Sequence, residues 1–227
     1  MHVIDWILLA IVLITIGILI FACASKKNIL KKVSECLVIP LFAILNITLL
    51  VQSLPDSRHI LRISTLVLLL ISVSTICMTY SSKRLLRILA RLLIFASVFC
   101  WISLYRTIFY IHKVPFWLII LMILVYIVTI VFACIISGKQ EGIYYFIFAI
   151  GFAPYAYLNF CTVIFLCFER TISSIILFAG SVIFLLLNSF QFINQARLKF
   201  KHADVIRYIL LITSQILIAS SNILMIR

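Results

Sequence analysis

Long apolar runs alternate along the chain with short polar breaks, most of them basic. The apolar runs predict eight helices, over about residues 4–23, 36–53, 61–80, 85–111, 116–137, 143–168, 172–195 and 204–225. Each is long enough to cross a bilayer, which takes about 17–25 apolar residues. The predicted fold is all-α: a polytopic integral membrane protein with eight transmembrane helices in a single domain over 1–227. The breaks carry turn chemistry, as in Ser53-Leu54-Pro55-Asp56 and Gly138-Lys139-Gln140-Glu141-Gly142. Pro40 is expected in the first turn of helix 2, where a missing N–H has no intrahelical partner. Gly151 and Pro154 predict a kink in helix 6 that frees a carbonyl around Ile150. Nearby Tyr155, Tyr157, Asn159 and Thr162 suggest either a polar pocket or helix-packing groups.

Polar positions inside the apolar runs concentrate between Gly180 and Asn222, across helices 7 and 8. Asn188, Gln191 and Gln195 fall on one helical face, with Ser181 one heptad above Asn188. Helix 8 adds Ser214, Gln215 and Asn222. Asn46 and a patch of Ser72, Ser74, Thr75 and Thr79 in helix 3 are the other notable cases. Small hydroxyls in membrane helices are expected to bond mostly to their own backbone. A carboxamide has more valences to satisfy, so it either joins helices or meets a ligand. The candidate ligand-pocket residues are therefore Asn188, Gln215, Tyr157, Asn159, Gln191 and Ser214, with Asn188 and Gln215 expected to face a common interior cavity.

Composition decides the solvent. The chain is 66% hydrophobic and 11% charged, with a mean hydropathy of +1.31. No soluble domain encloses that much apolar surface. The net charge of +13 would suit nucleic acid, but its distribution points elsewhere. Of the 19 Lys and Arg, 13 lie in or beside the first, third, fifth and seventh breaks. Basic loops stay cytoplasmic, so both termini are expected on the non-cytoplasmic side, and no nucleic-acid partner is expected. Richness in Ile, Leu, Lys and Phe suggests a bacterial inner (cytoplasmic) membrane. The start, MHVIDW, lacks the basic region of a cleaved signal peptide. Ile20-Phe21-Ala22-Cys23 faintly resembles a lipoprotein cleavage box, but the lysines that follow oppose that reading.

The ionisable chemistry is peripheral. Asp5, Glu35, Asp56, Glu141, Glu169 and Asp204 all lie near helix ends or in breaks, as do His2, His59, His112 and His202. Proton- and cation-coupled transporters need intramembrane carboxylates, so that class is disfavoured. No metal or cofactor is expected, because no His, Cys or carboxylate set converges in the pattern. The seven cysteines include no C-x-x-C pair and read as small apolar helix residues.

Helix 7 reads Gly180-Ser181-Val182-Ile183-Phe184-Leu185-Leu186-Leu187-Asn188, followed by Asn194, and helix 8 reads Ser214-Gln215-Ile216-Leu217-Ile218. In order and spacing these resemble the closing motifs of the YhhN family of eight-span membrane proteins, which includes the lysoplasmalogenases. The family pattern has Gly-Ala-x-x-Phe-x-x-Ser-Asp, then Asn, then Ala-Gln-x-Leu-Ile. Pro154 to Tyr157 resembles the family's Pro and Tyr in helix 6, and Pro40 its second Pro near helix 2. Helices 3 and 4 carry little of the resemblance.

The resemblance implies a pocket between helices 3, 6, 7 and 8 for a lysophospholipid or lysoplasmalogen among the membrane lipids. Family members that hydrolyse lysoplasmalogens are expected to use aspartates in helices 3 and 7 and a histidine in helix 4. Here helix 3 has no Asp, Asn188 stands at the helix 7 position, and Cys100 to Tyr105 offers no His. Three readings follow: a catalytically impaired binder, an active vinyl-ether hydrolase, and a membrane interaction protein without a ligand. The missing acids favour the first. Oligomeric state is left open.

Overall fold

A computed structural model of the chain describes residues 3–24, 28–52, 58–80, 84–108, 114–137, 142–196 and 203–226. Among them lie eight α-helices and no strand. They are α1 (Val3–Ala24), α2 (Asn28–Gln52), α3 (Arg58–Tyr80), α4 (Arg84–Ile108), α5 (Phe116–Ser137), α6 (Gly142–Glu169), α7 (Ile172–Ala196) and α8 (Ala203–Ile226). Six contain stretches long and apolar enough to cross a membrane: His59–Thr79, Ile88–Arg106, Phe116–Ile136, Phe148–Glu169, Ile172–Asn194 and Val205–Met225. In α1 the described apolar stretch is shorter, Ala10–Leu19. The described residues are thus all-helical in fold class and, by length and composition, compatible with an integral, multi-pass membrane protein.

Two boundaries differ from those expected. α2 begins at Asn28 rather than near Cys36, so Lys31 and Lys32 lie on a helix, not in a loop. Pro40 consequently sits inside α2, where it contributes no N–H to the helical ladder. α3 likewise starts at Arg58, three residues early. The physical reason is shared. A run of basic residues marks where hydrocarbon ends, but Leu, Lys, Arg and Glu are all good helix formers. A helix therefore continues past the boundary that hydropathy detects. His112, Lys113, most of Gly138–Gly142 and the basic residues of 197–202 lie outside the described residues.

α6 runs unbroken through Gly151 and Pro154. Its carbonyls near the proline gain a donor from α5, where the Tyr126 hydroxyl bonds the Ala149 carbonyl at 2.8 Å. That is one residue before the position expected to need a partner. α6 then ends abruptly. Arg170 adopts φ 46°, the left-handed conformation that commonly stops a helix. Thr171 caps α7 by accepting a bond from the Ser174 amide at 3.3 Å. This tight junction sends α7 back along α6.

Contacts divide the chain into two compact units. The first comprises Met1–Trp101 with Asn222–Arg227. In it α2 packs on α1 and on α3. Val38, Ile39, Phe42, Leu45 and Asn46 form the buried face of α2 at helical spacing. The second unit comprises Ile102–Ser221. There α6 packs against α7, and α5 against both. α5 has a mean hydropathy of 3.3 over its spanning stretch, the highest of the six. Leu118 is its one buried side chain among the described residues. A helix so uniformly apolar needs no inward face when lipid solvates it.

Candidate functional site

The second unit holds most of the residues singled out in the sequence. Side chains of α6 and α7 meet in descending order along one helix and ascending order along the other. Asn159 and Thr162 meet Ser181, Tyr155 meets Phe184, and Phe148 meets Phe192. The helices are therefore antiparallel. The Tyr155–Phe184 rings are edge to face at 5.0 Å, and Phe148 stacks on Phe192 at 3.8 Å. Phe152 extends this aromatic layer toward α5, stacking with Tyr126 at 5.7 Å.

At one end of the α6–α7 seam is a closed polar network. The Asn159 amide nitrogen donates to Ser181 Oγ at 2.9 Å. Ser181 Oγ lies 2.7 Å from Thr162 Oγ1 and 2.8 Å from the Phe178 carbonyl. Thr162 Oγ1 also approaches the Asn159 carbonyl at 2.8 Å. The Asn159 N–H and two hydroxyl protons serve four contacts, so the Ser181–Thr162 contact takes its proton in turn with the bonds to the Phe178 and Asn159 carbonyls. All three side chains are buried. A network satisfied in this way joins helices and leaves Asn159 Nδ2 engaged.

About 100° around α7 from Ser181, Gly180 faces α8. A Cβ placed there would lie 2.9 Å from Ile218 Cγ1 and 3.1 Å from the Ile218 backbone nitrogen. The absent side chain is what lets the two backbones approach, as small residues do in membrane helix pairs. Ser221 Oγ secures the same pair by donating to the Ser173 carbonyl at 2.8 Å. Ser214 and Gln215 are both fully buried on α8, and Ser214 bonds its own Leu211 carbonyl.

Asn188 behaves differently from Asn159. It lies between Phe184 and Phe192 on α7, both of which pack on α6 aromatics. Interpolating the α6–α7 pairing puts it level with Gly151 and Phe152, close to the carbonyls affected by Pro154. Its Nδ2 is buried and has no hydrogen-bond partner among the described residues. Such a donor calls for water or a ligand, since leaving it unmet costs about 1–3 kcal/mol. Gln191, one turn further, is half-buried.

Tyr157 takes neither part. It is 39% exposed and lines a groove of about 270 Å³ between α5 and α6, opposite Ile119, Met122 and Tyr126. Of the six candidates, only Tyr157 borders that groove. The α6 residues expected near one pocket are thus divided: Tyr157 faces α5, Asn159 and Thr162 face α7, and Tyr155 is buried on Phe184. A helix rotates by about 100° per residue, so neighbours in sequence seldom share a wall.

Two features lie outside the six candidate residues. In the first unit, Asn46 Nδ2 bonds Ser64 Oγ at 2.7 Å, while Asn46 Oδ1 and Thr65 Oγ1 are buried with no hydrogen-bond partner among the described residues. Ser64 and Thr65 sit two turns before the helix 3 patch, and their i, i+1 spacing looks unremarkable alone. The patch itself behaves as expected for packing hydroxyls. Ser72 and Thr75 bond their own helix, and Ser74 reaches the Ala90 carbonyl of α4 at 2.7 Å. The second feature is Arg106, which lies within electrostatic reach of Tyr157 and Cys161. Among the described residues no group of three or more His, Cys, Asp or Glu converges. No family model, curated protein or solved structure matches the chain.

Proposed function

We propose that the chain is an eight-span membrane protein of the YhhN type that binds a single-chain amphiphile, a lysophospholipid or lysoplasmalogen, without hydrolysing it. The observation that carries this reading is Asn188. It occupies the position where the resembling pattern has an acid, and it holds a buried, unmet hydrogen-bond donor. The aromatic contacts of Phe184 and Phe192 with α6 on either side of it direct that donor toward the α6–α7 seam.

The chemistry separates binding from catalysis. Cleaving a vinyl ether requires a proton on the enol carbon, then water on the oxocarbenium ion. A carboxylic acid delivers that proton and, as carboxylate, stabilises the cation. A carboxamide does neither at neutral pH, yet its N–H donates well to an ether or glycerol oxygen. The described spans supply no substitute acid at their centres.

The test pairs two measurements on purified protein. Aldehyde release from a lysoplasmalogen is expected to stay at background, and clear turnover would restore the hydrolase reading. Lysophospholipid affinity is expected to fall about tenfold on Asn188→Ala, the worth of one buried hydrogen bond. Equal affinity in the variant would leave Asn188 a packing residue and favour an interaction protein without this ligand.

The same proposal includes eight crossings with both termini outside the cytoplasm of a bacterial inner membrane. The alternating Lys and Arg bias supports it. An alkaline phosphatase fused after Arg227 is expected to be active, since that enzyme folds only outside the cytoplasm. A dark phosphatase with a bright cytoplasmic reporter at the same point would reverse the orientation.

A further inference from the structure

The groove between α5 and α6 has a direction. Its α6 wall runs from Phe160 and Tyr157 to Ala153, and its α5 wall from Ile119 through Met122 to Tyr126. Seven helical residues span roughly 10 Å. Tyr126 closes the deep end, where its hydroxyl is already committed to the Ala149 carbonyl and its ring to Phe152. The lining is otherwise apolar, and the small Ala153 and Ala156 leave the hollow. The shallow end lies near the start of α5, on the same side as the end of α4.

That end is where Arg106 sits. It is the last residue of the α4 spanning stretch, it is exposed, and its charge reaches Tyr157 and Cys161. Among the described residues no carboxylate pairs with it. A guanidinium at the hydrocarbon boundary favours a phosphate or another anion. An apolar channel running down from an unpaired cation matches one kind of molecule: a chain with an anionic head.

We propose that the α5–α6 groove and Arg106 form a site for an anionic glycerophospholipid, with one acyl chain between Phe160 and Tyr126 and the phosphate on Arg106. The site is separate from the one around Asn188 and does not rest on that reading. The fit is sequential. The acyl chain lies along Ala153 and Ala156, and Phe160 and Tyr157 flank it at the end nearer Arg106. Phosphatidylcholine fills the groove equally well but offers the guanidinium no net charge.

Native mass spectrometry of the delipidated full chain, titrated with phosphatidylglycerol and phosphatidylcholine of identical acyl chains, reads both halves of the site. Wild type is expected to prefer phosphatidylglycerol by about fivefold, the worth of one basic residue at an anionic lipid. Arg106→Gln should erase that preference, while Arg170→Gln, a second exposed cation, should keep it. Ala153→Phe and, independently, Ala156→Leu should weaken the binding of both lipids by filling the groove. The proposal is overturned if Arg106→Gln keeps the preference, if Arg170→Gln loses as much, or if both groove-filling variants bind as wild type.

Discussion

Replacing Gly180 by leucine is expected to abolish recovery of folded protein, and replacing it by alanine to cost about 1–3 kcal/mol. The site explains the severity. An added Cβ meets Ile218 Cγ1 at 2.9 Å, Leu217 Cβ at 3.0 Å and the Ile218 amide nitrogen at 3.1 Å. A flexible side-chain end can swing aside, but a backbone nitrogen cannot move without shifting α8. That shift would also strain the Ser221–Ser173 bond, which joins the same helices. Gly151 is the internal control, because a Cβ there meets nothing within 4 Å. Gly151→Ala is expected to be neutral or to stabilise by about 0.5–1 kcal/mol, through helix propensity alone. Unfolding in mixed detergent micelles measures both. Equal behaviour of the two alanine variants would mean that the close α7–α8 approach contributes nothing.

The second large effect is expected at the α6–α7 network. Ser181→Ala removes the acceptor of Asn159 and the neighbour of Thr162 in one step. Polar contacts between membrane helices average about 0.6 kcal/mol, with a ceiling near 1.7, because the unfolded state in the membrane also finds partners. Breaking it leaves the buried Asn159 Nδ2 unmet, while Thr162 keeps its bond to the Asn159 carbonyl, so the loss is expected toward the top of that range, about 1.5 kcal/mol. Asn159→Leu should cost about as much alone. In combination the two should fall short of their sum by about 1 kcal/mol, the signature of a shared interaction. Additivity within a few tenths would refute the network as an energetic unit. Lysophospholipid affinity should hold in the stable single variants, which sets Asn159, an internal strut, apart from Asn188.

These two sites differ in how visible they were. The contrast between Gly180 and Gly151 is invisible in the chain, since each is a glycine inside an apolar run. What distinguishes them is a neighbour about 38 residues away in one case and open space in the other. Asn159 and Asn188 likewise read alike as amides in apolar helices. Ser181 lies within reach of the first. The second faces an aromatic layer, where its Nδ2 has no described partner. The candidate set named neutral polar groups in helices 6 to 8, but it merged three environments into one pocket. Tyr157 turned outward to α5, Asn159 inward to α7, and Ser214 back to its own carbonyl.

The sequence by itself determined the eight helices, because the run lengths of apolar residues and the spacing of their breaks leave no room for another element. It determined membrane compatibility through bulk hydropathy, and it located the polar chemistry in the last three helices. Helix ends were less secure where charge and helix propensity disagree. At Asn28 and Arg58 the helix begins before the apolar run does, and only the folded structure reveals it. Tertiary structure alone decided which polar atoms are satisfied and which are not. Periodicity states the angle at which a side chain leaves its helix, whereas a hydrogen bond depends on what another helix places opposite. That is why the stretch from Gly180 to Asn222 was legible as important, while its division into a close-packed seam, a polar strut and the unmet donor of Asn188 was not.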